Sequence, residues 1–266
     1  MKRPKKPIPE KYKNEAKAAE KIAVAAGKMV REGFSSGYTI SRKGRIDLLT
    51  EVDLASEKLI KESIQKEFSK DGFFGEEGGG ADFEKGRVWV VDPLDGTTNF
   101  THGLKIFAVS IAFFENGIVR AGAVYQPMTD ELFSAWENGG AYLNGKVIAV
   151  SRRKTVSTAM GVTGFPYNIE PVFTRILKQL GSILPVAEGV RRLGSASMDL
   201  CYVANGIFDF FWEFNLKPWD VAAGGLIVRE AGGKVTDFLG RPDFVSSGRL
   251  LATNGLIHEE VIGLLR

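Results

Sequence analysis

Trp89-Val90-Val91-Asp92-Pro93-Leu94-Asp95-Gly96-Thr97-Thr98-Asn99-Phe100 joins an apolar run to two acids, a glycine and two hydroxyls. The run ending at Val91 reads as a buried strand. It closes in one carboxylate, turns at a proline and offers a second carboxylate three residues later. Hard oxygen ligands are thus gathered beside a backbone able to bend tightly, the environment that Mg²⁺ requires. Pro-x-Asp-Gly is also an ordinary turn sequence, so the segment by itself leaves both readings open.

Acidic residues in three other segments extend the ligand reading. Gly75-Glu76-Glu77-Gly78 puts two acids in a glycine-flanked turn just before the Asp92 strand. Trp219-Asp220 opens a helix after an extended run, where Asp220 reads equally as a helix cap. Thr50-Glu51-Val52-Asp53 opens another, with Asp53 also readable as a first-turn acid favoured by the helix dipole. Near-matches to other chemistries fail. Gly140 to Val147 mimics a phosphate-binding loop, but Val147 stands where a Ser or Thr must hold Mg²⁺. Asn144-Gly145 is better read there as a hairpin turn. Gly33-Phe34-Ser35-Ser36-Gly37 follows a helix instead of the strand that a nucleophile elbow needs. With 2 His and 1 Cys, zinc sites and a Ser-His-Asp triad have few ways to form.

Periodicity predicts helices over about 10–32, 51–69, 171–183, 195–204, 221–231 and 258–265. Strands are predicted over 88–91, 106–114, 118–125, 132–136, 159–163, 207–212, 234–236 and 250–253. Helices and strands in blocks give an α+β class. The chain of 266 residues is 44% hydrophobic and 25% charged, an ordinary globular balance. No apolar run reaches the roughly 20 residues of a membrane span, and no signal-peptide core follows the basic start. A net charge of +3 is too small to argue for nucleic acid. Lys2, Arg3, Lys5 and Lys6 form a basic tail that reads as a solvated end, with contact to RNA or a ribonucleoprotein as the other reading. The single Cys201 reads as a buried structural thiol and fits a reducing cytoplasm.

Together the acidic segments resemble the inositol monophosphatase family. Its pattern has a Gly-Glu-Glu turn, then Trp-x-x-Asp-Pro-Ile/Leu-Asp-Gly-Thr-Thr-Asn-Phe, then Trp-Asp before an Ala/Gly-rich helix ending Glu-Ala-Gly-Gly. This chain reads Gly75-Glu76-Glu77, Trp89 through Phe100, and Trp219-Asp220 through Glu230-Ala231-Gly232-Gly233. The resemblance implies a layered αβαβα sandwich of the sugar-phosphatase type. Residues 1–10 become a basic flexible tail and 11–266 a catalytic domain, metal-binding over about 11–150 and substrate-side over 151–266.

The same resemblance implies Mg²⁺ as cofactor, two to three ions per site. Glu76, Asp92 and the Leu94 carbonyl are the implied ligands of one ion; Asp92, Asp95 and Asp220 are those of a second. Glu76 also reaches a third through water. Glu76, Thr97, Asp53 and Asp95 are the implied catalytic residues, with Asp53 and Thr97 orienting the activating network. Asp95, Gly96, Thr97, Gly194, Ser195, Ala196, Glu213, Asp220 and Arg191 are the implied substrate contacts. The expected activity is hydrolysis of myo-inositol 1-phosphate. Fructose 1,6-bisphosphatase or dual sugar-phosphatase activity is the alternative, because Lys217-Pro218 before Trp219 resembles bacterial members. Lithium sensitivity, a homodimer, a small phosphorylated polyol substrate and a cytoplasmic location complete the expectation.

Overall fold

The structure, a computed structural model, describes residues 10–42 and 48–266. Of the basic tail expected over residues 1–10, residues 1–9 lie outside the described residues. In chain order, α1 (Lys13–Ser36) leads into a hairpin of β1 (Ile40–Arg42) and β2 (Leu48–Thr50), then α2 (Glu51–Glu67). β3 (Gly72–Gly75), β4 (Gly79–Gly80) and β5 (Arg87–Asp95) precede the single turn α3 (Thr97–Thr101). A meander follows: β6 (Ala108–Glu115), β7 (Ile118–Gln126), β8 (Glu131–Trp136), β9 (Gly140–Leu143) and β10 (Lys146–Val147). The second half runs β11 (Met160–Thr163), α4 (Phe173–Ile183), β12 (Gly189–Arg191), α5 (Ala196–Ala204) and β13 (Phe210–Phe214). It ends with α6 (Pro218–Glu230), β14 (Lys234–Thr236), β15 (Arg249–Thr253) and α7 (His258–Leu265).

Eight strands form one sheet in the order β10-β9-β8-β7-β6-β5-β3-β4, and five form another in the order β12-β11-β13-β15-β14. α1 and α2 cover one face of the larger sheet. α5 and α6 lie between the two sheets, and α4 with α7 covers the far side of the smaller one. This is the expected αβαβα sandwich. Alternation on the central strands explains why the large sheet can be covered twice: Val109, Ile111 and Phe113 of β6 pack toward α1, while Ala108, Ala112 and Phe114 pack toward α6. Asn116-Gly117 and Asn144-Gly145 close hairpins with φ values of 52° and 76°, and of 49° and 75°. Positive φ at both central residues matches the twist of the flanking strands.

Two expected boundaries move for physical reasons. The extended run expected at 207–212 begins at Phe210 and reaches Phe214, where pairing with β15 ends. The helix expected at 221–231 starts at Pro218, because proline at the first helical position forfeits no hydrogen bond. The same helix therefore holds Trp219 and Asp220 inside its first turn.

His258 ties three elements of the smaller sheet side together. Its Nε2 lies 2.9 Å from Thr236 Oγ1 on β14, and its Nδ1 lies 2.9 Å from Thr253 Oγ1 on β15. Burial, aided by Lys234, lowers its pKa from 6.5 to about 4. The folded chain thus keeps this ring neutral while the unfolded chain protonates it. The resulting stability is present above 6.5 and lost as pH falls from 6.5 toward 4. Denaturant midpoints of the wild type should therefore drop across that interval by more than those of His258→Gln; parallel profiles would remove His258 as the source.

Candidate active site

Two acids three apart on a regular strand face opposite sides of the sheet. On β5 this is corrected by one extra residue. Asp92 pairs with Ser110 of β6 and Asp95 with Ala108, so three steps on β5 answer two on its neighbour. Such a bulge turns both carboxylates to one side, and it admits Pro93, which has no N–H for the ladder. The Leu94 N–H donates to Asp92 Oδ1 at 3.0 Å and completes the bend. Gly96 follows at φ 97°; a Cβ there would meet the Ile106 and Gly194 carbonyls at 3.1 and 3.2 Å. Only glycine lets the strand enter α3 so tightly.

Other segments bring the remaining groups. Glu76 sits in the turn between β3 and β4, its N–H donating to the Val91 carbonyl at 3.1 Å. Asp220 is the third residue of α6, and its Oδ2 accepts from the Lys217 N–H at 2.7 Å. Ser110 Oγ anchors the same helix start by donating to the Trp219 carbonyl at 3.2 Å. Thr97 Oγ1 lies 3.1 Å from Asp53 Oδ1 and 3.0 Å from the Leu94 carbonyl, two acceptors that share its one proton. Asp53 Oδ2 accepts from the Thr50 N–H at 2.8 Å and from the Thr50 hydroxyl. Its capping and site-facing roles coincide.

These groups surround a cleft of about 890 Å³. Glu76, Asp92, Leu94, Asp95, Gly96, Thr97 and Asp220 line it, and so do Gly194, Ser195, Ala196 and Glu213 from the second half. Asp53 lies behind Thr97, buried, and does not reach the wall. Arg191 is the one expected contact that the structure does not bring in. It ends β12 exposed, its Nη1 donating to its neighbour's carbonyl, Val190 O, at 3.0 Å. Successive strand residues diverge, and Arg192 lines the cleft in its place.

Residues that the sequence reading passed over support the expected ones. Asp95 Oδ2 accepts from Ser195 Oγ at 2.7 Å, from the Ser197 N–H at 2.7 Å and from Ser197 Oγ at 2.5 Å. Asn99 Nδ2 donates toward the carbonyls of Ile106, Leu193 and Gly194, at 2.7, 2.8 and 3.3 Å, and so fastens α3 to the segment before α5. Nothing in a linear pattern announces either residue, since each bonds to groups distant in the chain.

The electrostatics are those of crowded like charge. Burial, then Glu76, Asp95 and Asp220, push the Asp92 carboxyl well above its usual range. Burial and Asp95 do the same to Asp220. Burial raises Asp95, against the pull of its Ser197 and Ser195 hydrogen bonds. Glu213 is pushed up to about 8 by burial, with Arg192 opposing. Asp199, also missed from sequence, is raised well above its range by burial and Glu213, and its two oxygens have no partner among the described residues. As they stand, no three Asp, Glu, His or Cys side chains among the described residues are gathered tightly enough to enclose an ion by themselves. The carboxylates line the walls of one cleft and leave its centre to whatever binds.

A sequence model of the inositol monophosphatase family matches residues 11–266. The chain is 43% identical over 247 residues to Nus factor SuhB of Pseudomonas aeruginosa, covering 89% of this chain and 90% of that one. It is 40% identical over 222 residues to the fructose-1,6-bisphosphatase/inositol-1-monophosphatase of Thermotoga maritima, covering 83% of each. Among solved structures, the extragenic suppressor protein suhB of Bartonella henselae superposes with a TM-score of 0.91 at 37% identity, covering 95% of this chain and 98% of that one.

The three donors on Asp95 set up a measurable coupling. Ser195→Ala and Ser197→Ala should each lower unfolding free energy by about 1–2 kcal/mol. Because both hydroxyls serve one oxygen, the double variant should depart from additivity by about 0.5 kcal/mol or more. Urea unfolding of the four proteins in the cycle measures it, and strict additivity would mean that the two serines act apart.

Proposed function

Because the chain belongs to the inositol monophosphatase family, we propose that its cleft hydrolyses the phosphate ester of a small polyol, myo-inositol 1-phosphate foremost, with Mg²⁺ as cofactor. One observation carries this reading: Glu76, Asp92, Asp95 and Asp220 face one cleft, and the charges acting most strongly on Asp92 share its sign. These four carboxylates and the Leu94 carbonyl are all hard oxygen donors, with no His or Cys on the cleft wall among the described residues. They fit two to three Mg²⁺ ions, which bind through a few carboxylates and keep several waters, and so suit donors spread around a space. Bound there, Mg²⁺ would offset the crowded charge, acidify water and balance charge on the leaving oxygen.

The chain's own groups do the positioning. The Thr97 proton is committed to Asp53 Oδ1 or the Leu94 carbonyl, so Thr97 Oγ1 turns lone pairs to the cleft and accepts from a water. Glu76 accepts that water's other proton and aims its oxygen at phosphorus. Asp53, held by Thr50, keeps Thr97 in this sense of donation. Phosphate oxygens go to the N–H groups of Gly96 and Thr97. Gly194, Ser195, Ala196, Asp95, Asp220 and Glu213 receive the polyol. With a pKa of about 8, Glu213 carries its proton at neutral pH and can both donate to and accept from ring hydroxyls. Phosphoryl transfer is mostly such positioning and charge stabilisation.

A second substrate reading has its own support. The cleft of about 890 Å³ exceeds what one small ring fills, and the cations Arg192 and Lys217 are among its lining residues. They suit a second phosphate, as in fructose 1,6-bisphosphate, and the Thermotoga maritima relative is named for both activities. A ribonucleoprotein role through the basic tail rests on Lys2, Arg3, Lys5 and Lys6, and the Pseudomonas aeruginosa relative is named a Nus factor, a name that states no phosphatase activity. We place the enzyme in a reducing cytoplasm on the strength of its single, buried Cys201. Among the described residues no helix is long and apolar enough to cross a membrane. A homodimer belongs to the same reading, since Phe173, Leu177 and Leu184 on and beside α4 are about half exposed.

Phosphate release from myo-inositol 1-phosphate and fructose 1,6-bisphosphate, assayed in parallel with and without Mg²⁺, should show Mg²⁺-dependent turnover with the higher kcat/KM for the inositol ester. Asp95→Asn should abolish it while leaving the thermal transition cooperative; a wild-type rate in that variant removes Asp95 from the mechanism. Sedimentation should give the mass of two chains, and Leu177→Glu should shift it toward one.

A further inference from the structure

The segments that carry the cleft acids share a support on α2. Asp53, Ser56 and Glu57 are spaced by three and four, so one helical face presents all of them. All three are buried. Asp53 Oδ1 accepts from Thr97 Oγ1 at the start of α3. Ser56 Oγ donates to the Pro93 carbonyl at 2.9 Å, in the bend of β5. Glu57 Oε2 accepts from the Glu77 N–H at 2.9 Å, and its Oε1 accepts from the Gly78 N–H at 2.9 Å. One helical turn thus touches the three first-half segments that build the cleft.

The glycines around Glu76 point the same way. Gly75 does not adopt a positive φ, so its backbone alone does not require glycine. What requires it is space: a Cβ at Gly75 would collide with the Glu57 carboxylate, and one at Gly78 would stand 2.9 Å from Glu57 Oε1. The turn is glycine-flanked so that a carboxylate can lie against it and take two successive N–H groups. Glu76 is held from the other side, its N–H on the Val91 carbonyl at 3.1 Å.

We propose that Glu57 is a positioning residue of the active site: by gripping the N–H groups of Glu77 and Gly78 it fixes the turn that aims Glu76 into the cleft, and so sets both cation affinity and turnover. This rests on the functional reading above, in which Glu76 helps hold Mg²⁺ and orients water. Losing the grip frees the backbone on the C-terminal side of Glu76 while β3 still pins the other side. The carboxylate then samples directions out of the cleft, at little cost to the polyol-binding wall.

The experiment compares wild type with Glu57→Gln, Glu57→Ala and Ile60→Val. Gln keeps the shape of Glu but can accept only one of the two N–H groups. Ile60→Val trims a fully buried residue of the same helix without touching the turn. Three quantities are measured: hydrogen exchange of residues 76–80 without divalent ions, the Mg²⁺ concentration giving half the thermal shift, and kcat with KM. Glu57→Gln should speed exchange in that turn. Second-layer supports of this kind typically govern about 10- to 100-fold in metal affinity or activity. The Mg²⁺ midpoint should accordingly rise and kcat fall on the order of 10-fold or more in Glu57→Gln, and further in Glu57→Ala. KM should stay within about two-fold, as for a group that leaves ground-state substrate binding alone. Ile60→Val should lose thermal stability and change none of the three. Coincidence of Glu57→Gln with Ile60→Val, in a wild type that turns over, overturns the role of Glu57 alone. A wild type with neither Mg²⁺ shift nor turnover overturns the functional reading beneath it.

Discussion

Like charges repel, and this fold buries several of them around one space. Burial pushes Asp92, Asp95 and Asp220 toward protonation, and neighbouring carboxylates push Asp92 and Asp220 further. An uncompensated buried carboxylate costs several kcal/mol, so each must be held by something stronger than chance. The donors around them meet that need. Asp95 has three on one oxygen, Asp92 has the Leu94 N–H, and Asp220 has the Lys217 N–H. With Glu76, the acids arrive on three segments, Asp92 and Asp95 together on β5, and a hydrophobic layer on each side of the large sheet keeps those segments from relaxing apart. The sandwich is in this sense a frame built to hold repulsion still.

The two halves of the chain meet across that frame. β5 supplies the central acids, while the start of α5 supplies the hydroxyls that orient Asp95. Asn99 closes the joint through the carbonyls of Leu193 and Gly194. The cleft wall is therefore shared: Asp95, from the first half, depends on the second half for its orientation. Ser195 and Ser197 thus act on the cleft through Asp95.

Much of this was legible in the chain itself, for identifiable reasons. An apolar strand ending in Asp-Pro-Leu-Asp-Gly announces a bend with paired ligands, and helix-opening acids such as Asp53 and Asp220 carry their own positional signal. What stayed hidden was set by pairing and distance. β3, β4 and β12 are two to four residues long and glycine-bearing; they exist because a neighbouring strand offers a ladder, and no periodicity can show in so few residues. The choice of Arg192 over Arg191 depends on which way a strand end turns. Ser197, Asn99 and Ser56 earn their places by bonding to groups tens of residues away. Ser56 and Glu57 left a trace in spacing, about one helical turn beyond Asp53 on the same face.

The bulge in β5 has a consequence for how such a chain can vary over evolutionary time. It brings two acids to one side by a count of residues, three against two, and counting is indifferent to which apolar side chain fills the extra place. A conservative exchange at Leu94 keeps the arithmetic; removing a residue between Asp92 and Asp95 restores strict alternation across the neighbouring strand. Without the extra residue the two acids, now two apart, still share a side, but the bend that admits Pro93 and seats the Leu94 N–H on Asp92 is lost. What the extra residue supplies is thus the bend itself, so length here governs the path of the chain, where most loops are constrained only in polarity.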